Sequence, residues 1–211
     1  MKSPYNVHLS KNRPQVLSSS MLLSMEEAMT KGAGFAHSTE LLTKNVSPEI
    51  YRQILNELPP ATRALWEAPP LAMTWVPYAR TQESMAAVKK VMGEEAACKL
   101  YAEVGKQMLF EDMSGIYKVL MRVVSIDFAL KKSGSFYAQY TRNQGSLEST
   151  RISPTSSVSH YRNLPEVSLI NAHFLGGAVA GVTQLAGGKN VRVTEHKLLP
   201  GIGLDITVQW D

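Results

Sequence analysis

The sequence predicts an α+β domain in which an antiparallel sheet, built from two β-hairpins, is covered by helices. Three observations lead there. Residues 166–187, EVSLINAHFLGGAVAGVTQLAG, form a long stretch of small and apolar residues with helical character. Two short runs with strand character follow, at 190–199 and 202–210. In the second, Ile202, Leu204, Ile206, Val208 and Trp210 alternate with Gly203, Asp205, Thr207 and Gln209. That is the period of a strand with one face on a core and one towards solvent. A helix delivering into a terminal hairpin excludes an all-helical protein. The order helices, hairpin, helix, hairpin is that of helices packed on an antiparallel sheet.

The elements follow in chain order. Residues 1–15 are polar, carry Pro4 and Pro14, and read as a flexible N-terminal segment ahead of one domain, 16–211. Residues 16–25 fit either a strand or the approach to a helix. Residues 26–31, followed by Gly32, read as a short helix with a glycine stop. Residues 35–45 and 48–58 read as two more helices. Ser47-Pro48 starts the second, because serine can cap and proline fits the first turn. Pro59-Pro60 and Pro69-Pro70 punctuate a loop-rich stretch. Pro77 opens a helix that ends near Gly93. Residues 94–108 then place Ala97, Leu100, Tyr101, Val104 and Met108 on one helical face. Ile116, Val119, Leu120, Val123 and Leu130 repeat that pattern in the next helix, which Gly134 follows. Residues 136–141 and 147–152, joined across Asn143-Gln144-Gly145, make the first hairpin. Residues 153–163 read as a serine-rich loop. There is no internal repeat and no domain-scale linker.

Length and composition suit one globular domain with a sizeable core: 211 residues, 44% hydrophobic and 19% charged. The net charge of +4 is spread out, and no run of five like charges occurs. A solvated surface accounts for it better than a nucleic-acid interface. A single cysteine, Cys98, precludes an internal disulfide and fits a reducing compartment. Residues 1–25 lack the apolar core of a secretory signal. The most apolar window, 164–186, is broken by Glu166, Asn171, His173 and Gln184, so no membrane span is expected. A cytoplasmic protein is the expectation.

Residues His173 to Trp210 carry a set of glycine-based motifs. Gly176-Gly177 and Gly181 lie in the helix, Gly187-Gly188-Lys189 at the corner, Thr194-Glu195 in a strand and Gly201 in the turn. This stretch resembles the end of vinyl-reductase-type and heme–nitric-oxide-binding-type domains. With the upstream order of Trp75–Tyr78, Gly93 and Gly105, it is most similar to a myxobacterial family related to those domains. The same fold group includes the transport-protein-particle (TRAPP) vesicle-tethering subunits. The resemblance covers residues 16–211. It implies the fold and a habit of binding small apolar ligands or partner proteins. Two departures limit what carries over. Vinyl-reductase-type domains often hold cysteines in the last two strands, where this chain has Leu198 and Asp205. Heme–nitric-oxide domains need a proximal histidine and a Tyr-x-Ser-x-Arg clamp, to which the nearest echo is Tyr140-Thr141-Arg142. Neither reductase activity nor heme is carried over, and no cofactor is expected.

Other chemistry is sparse. His8, His37, His160, His173 and His196 are scattered, with no H-x-x-x-H or C-x-x-C, so no metal site is expected. Cys98 reads as an inert core thiol; the TRAPP resemblance implies the alternative of acylation in an apolar tunnel. No G-x-S-x-G elbow is present, and the serines beside His160 read as a turn. Glycine inside a helix costs about 1 kcal/mol against alanine. Gly176, Gly177 and Gly181 therefore imply close approach of another backbone or a ligand, with helix–sheet packing the plain explanation. Glu94-Glu95 and Glu111-Asp112 sit at expected helix starts, where they complement the dipole. His173 either bonds a nearby carbonyl or supplies one polar contact in an apolar pocket. Met108, Phe110, Met113, Tyr117, Met121 and Phe128 form a stripe that suits core packing or an adaptable apolar surface.

The expected function is a non-enzymatic sensor or regulatory domain. A small apolar ligand would sit between helices and sheet, against Met108, Phe110, Tyr117, Phe128, His173 and Phe174. The change would pass through a homodimer or a partner protein. The alternative is a structural or adaptor protein with a filled core and no ligand, acting by dimerisation or docking. No base, nucleophile and orienting group can be assembled for an enzyme.

Overall fold

The computed structural model describes residues 26–112 and 125–211, and of 109–112 the backbone only. The expectations for 16–25 and for Ile116–Val123 lie outside these residues. Strand β1 (Met29–Lys31) leads into helices α1 (Gly32–Asn45), α2 (Pro48–Glu57) and α3 (Pro60–Glu67). Strand β2 (Trp75–Pro77) precedes α4 (Tyr78–Met92) and α5 (Glu94–Asp112). The second part runs α6 (Ile126–Tyr140), β3 (Thr141–Arg142), β4 (Ser146–Ser153), β5 (Ser156–Arg162), α7 (Leu169–Leu185), β6 (Arg192–Leu199) and β7 (Gly203–Gln209). The strands form a small sheet, β2-β1-β3, and a four-stranded sheet, β4-β5-β7-β6, both antiparallel. The α+β class is as the sequence predicts.

Local chemistry sets several boundaries. The Ser47 hydroxyl accepts from the Ile50 N–H at 3.2 Å and starts α2. Ser125 and Ser168 cap α6 and α7 in the same way. Gly93, at φ +82°, stops α4 in a conformation that disfavours side chains. In β7, Leu204, Ile206 and Val208 are fully buried, as the alternation requires. Ile202 belongs to the turn before the strand and is exposed.

Several expectations are corrected. Residues 29–31 form a strand rather than a helix, because Thr30 pairs with both Val76 and Thr141. Gly32 opens α1 instead of ending a helix; a Cβ there would strike the Leu71 carbonyl. The stretch between the proline pairs holds α3, since Pro60 occupies a first-turn position that needs no N–H donor. Residues 136–140 complete α6, with Gly134 inside it and Ser125 capping its start. The first hairpin is instead β4–β5, and its second strand is the stretch read as a serine-rich loop. Ser157 and Ser159 fill buried positions of β5, where Ser159 bonds Ser149 across the strands at 2.8 Å. Small buried serines thus replace the apolar alternation that marks a strand. Glu94 and Glu95 do open α5, whereas Glu111 and Asp112 lie at its far, last described end.

Two hydrophobic clusters result. One is helical and includes Phe35, Leu42, Ile54, Trp66, Val88 and Val104. The other lies where α7 covers the large sheet and includes Tyr161, Ala172, Leu204, Ile206 and Val208. Among the described residues no helix is long and apolar enough to cross a membrane.

Candidate functional site

Helices α5 and α7 bring the two clusters together. Their glycines let backbone meet backbone: a Cβ on Gly177 would collide with the Ala102 carbonyl, and one on Gly105 with the Phe174 carbonyl. The close approach implied by the helical glycines is therefore to another helix. Only Gly176 faces the sheet, where a Cβ would come within 2.5 Å of His196 Nε2.

Beside this contact lies an apolar cavity of about 320 Å³. Residues from α1, α4, α5, α6, α7 and the large sheet line it, including Phe35, Met85, Tyr101, Leu130, Tyr161 and Val179. Both hydrophobic clusters contribute. No Lys, Arg, His, Asp, Glu or Cys side chain is among the described lining residues. Burial raises the pKa of Tyr78, Tyr101, Tyr137 and Tyr161, so their phenols stay protonated.

The expected site residues divide. Met108 and Phe174 line the cavity. The Met108 sulfur accepts from the Ser38 hydroxyl at 3.5 Å, and the Phe174 ring meets Tyr101 edge-on at 6.3 Å. Phe128 does not line it: the residue follows the Ser125 cap and is 46% exposed. His173 does not line it either, because its ring leaves α7 towards β6 and lies 4.3 Å from that of His196. Desolvation lowers the pKa of both imidazoles, and the mutual charge adds to this for His196. The side chain of Phe110 and all of Tyr117 lie outside the described residues. Cys98 is buried in the helical cluster, away from the cavity, and burial pushes its thiol pKa up.

Residues that the sequence did not assign to the site form much of the wall. Tyr78, Thr81 and Tyr101 occupy inward positions of α4 and α5, and Asn171 interrupts the apolar start of α7. The one available signal was a polar side chain set on an otherwise apolar helical face. Among the described residues no three His, Cys, Asp or Glu side chains gather to hold a metal.

No protein-family model and no curated protein matches the sequence. Solved structures do match in shape. A Cs H-NOX variant carrying a cyano-phenylalanine is 13% identical, with 85% of this chain and 96% of that one covered and a TM-score of 0.61. An Fe(II) unliganded H-NOX variant from K. algicida is 11% identical, covering 86% and 96%, with a TM-score of 0.63. A T. Tengcongensis H-NOX variant is 12% identical, covering 85% and 97%, with a TM-score of 0.61. The heme–nitric-oxide-binding side of the resemblance is the one these structures support, and the chain has an H-NOX-like fold.

Proposed function

We propose that this chain is a non-enzymatic sensor domain that takes a small apolar ligand directly into the cavity, without heme. The observation that carries this reading is a sizeable chamber whose described wall is apolar and uncharged. Its volume falls in the ordinary range of ligand pockets, roughly 300–1,000 Å³. A filled core would have favoured an adaptor.

Solved H-NOX neighbours include proteins studied for distortion of their heme. Heme iron needs an axial ligand, and its propionates call for cationic partners. None of His37, His160, His173 and His196 lines the cavity, nor does any described arginine or lysine. The lining tyrosines named above hold their protons and are poor anionic ligands. The residues described do not fit the group. The absence of acids, histidines and cysteine among the described lining residues also supports a binding role over a catalytic one. The read-out would pass to a partner protein or a second copy of the chain.

Native mass spectrometry of the purified protein, beside a denatured extract and an absorption spectrum, tests this. Expected is non-covalent cargo that denaturation releases, with no heme absorption. Stoichiometric heme uptake with a ligated-heme spectrum would overturn the heme-free reading. A protein that carries nothing and takes up no apolar dye would overturn ligand binding itself.

A further inference from the structure

Most polar groups in the cavity wall are already partnered. The Ser84 hydroxyl donates to the Arg80 carbonyl at 2.8 Å, and that of Thr183 to the Val179 carbonyl at 2.9 Å. The Gln144 amide donates to the Met29 carbonyl at 2.7 Å. Three buried groups are different. The hydroxyls of Thr81 and Tyr101 and the amide oxygen of Asn171 find no hydrogen-bond partner among the described residues.

All three line the cavity, one from each of α4, α5 and α7. The Asn171 amide nitrogen donates to the Tyr78 hydroxyl. Thr81 lies about one turn beyond Tyr78 on α4. Phe174, which packs on Tyr101, lies about one turn beyond Asn171 on α7. Thr81 and Asn171 thus stand in the first turns of α4 and α7, at the end of the cavity marked by the Asn171–Tyr78 bond.

Resting on the reading of this cavity as the binding site, we infer that its ligand is an uncharged molecule with an apolar body and a hydroxyl head seated at that end. The wall, uncharged among the described residues, would strip a carboxylate or ammonium of water without compensation. An ether or ketone only accepts, and leaves the Asn171 oxygen unmet. A hydrocarbon leaves all three groups unmet. A hydroxyl donates to Asn171 and accepts from Tyr101 or Thr81. Unmet buried groups cost free energy until a partner arrives, so the wall selects for one. A benzene-binding cavity measures about 150 Å³, which puts the body here at roughly a dozen heavy atoms.

Calorimetric titration with four probes on one bicyclic frame tests this: naphthol, methoxynaphthalene, methylnaphthalene and naphthoate. Naphthol should bind about tenfold tighter than the methoxy and methyl compounds, and naphthoate should not bind measurably. Tyr101→Phe and Thr81→Val should each narrow the gap in affinity between naphthol and methylnaphthalene. Should either variant fail to fold, the other still carries the test. Methylnaphthalene matching naphthol, or a naphthol preference surviving both substitutions, would overturn the head-group site while leaving the cavity a binding site. Naphthoate binding tightest would overturn the uncharged ligand. Binding of none of the four would overturn the cavity reading itself, and this inference with it.

Discussion

Helix α7 meets α5 and the cavity in opposite ways. Against α5 its backbone is bare: Gly177 lies on Ala102, and Phe174 lies on Gly105. Towards the cavity the same helix presents Asn171, Phe174, Ala178 and Val182, and leaves a chamber of about 320 Å³. Protein interiors are usually packed to crystal density, so a void of that size needs walls fixed from outside it. The glycine contact supplies that fixing. One side of α7 gives up side chains to gain a rigid placement, and the other gives up filling to gain a chamber.

The comparison breaks most severely at the glycines. Gly177→Val forces a branched side chain into the Ala102 carbonyl, where neither backbone can yield. The expected loss is about 3 kcal/mol, or a fall in Tm of about 6–12 °C, read by thermal denaturation. Next come two equal enlargements of opposite sign. Ala172 is fully buried and does not line the cavity, so Ala172→Leu should cost about 1–3 kcal/mol. Ala178 does line it, so Ala178→Leu should be neutral or stabilising by up to about 2 kcal/mol while abolishing ligand uptake. Denaturant melts of the pair, with dye binding, compare them; equal destabilisation would count against an open chamber.

A third contact of α7, with β6, sharpens the picture through pH. Burial holds the pKa of His173 and His196 below the ordinary value of 6.5. The unfolded chain therefore takes up protons first as pH falls through that value, and stability is lost below it until the folded imidazoles titrate as well. Above it the pair contributes no pH dependence. Urea melts between pH 7.5 and pH 5, roughly the range in which histidine titrates, should show this loss. The His196→Leu variant should show less of it. The smallest effect belongs to Phe128→Ala. Its side chain is 46% exposed and away from the cavity, so stability should move by about 0.5 kcal/mol and ligand uptake should not change.

The C-terminal third was legible because each of its elements states its own period. The β7 alternation and the small-residue run of α7 need no partner to be recognised. The first hairpin was not, because β5 buries Ser157 and Ser159 where apolar residues are the usual sign. Strand β1 was illegible for another reason: three residues have no period, and only pairing with two distant segments makes them a strand. Of the site, Met108 and Phe174 could be found as large apolar residues on helical faces. Phe128 could not be excluded, since a stripe does not say which turn faces inward. Asn171, Tyr101 and Thr81 escaped because a polar residue on an apolar face reads as an exception until three helices converge on it.

The small sheet β2-β1-β3 carries a consequence of its own. Thr30 and Thr141, paired within it, also line the cavity. Arg142 spreads its guanidinium over the Trp75 ring at 3.9 Å, joining the two outer strands across β1. Each strand comes from a remote stretch of chain and offers only a few ladder bonds in return for closing long loops. In order of assembly the helices and both hairpins can form first, and this clasp closes after them. The chamber is then the last compartment of the molecule to be completed and, on partial opening, among the first to be lost.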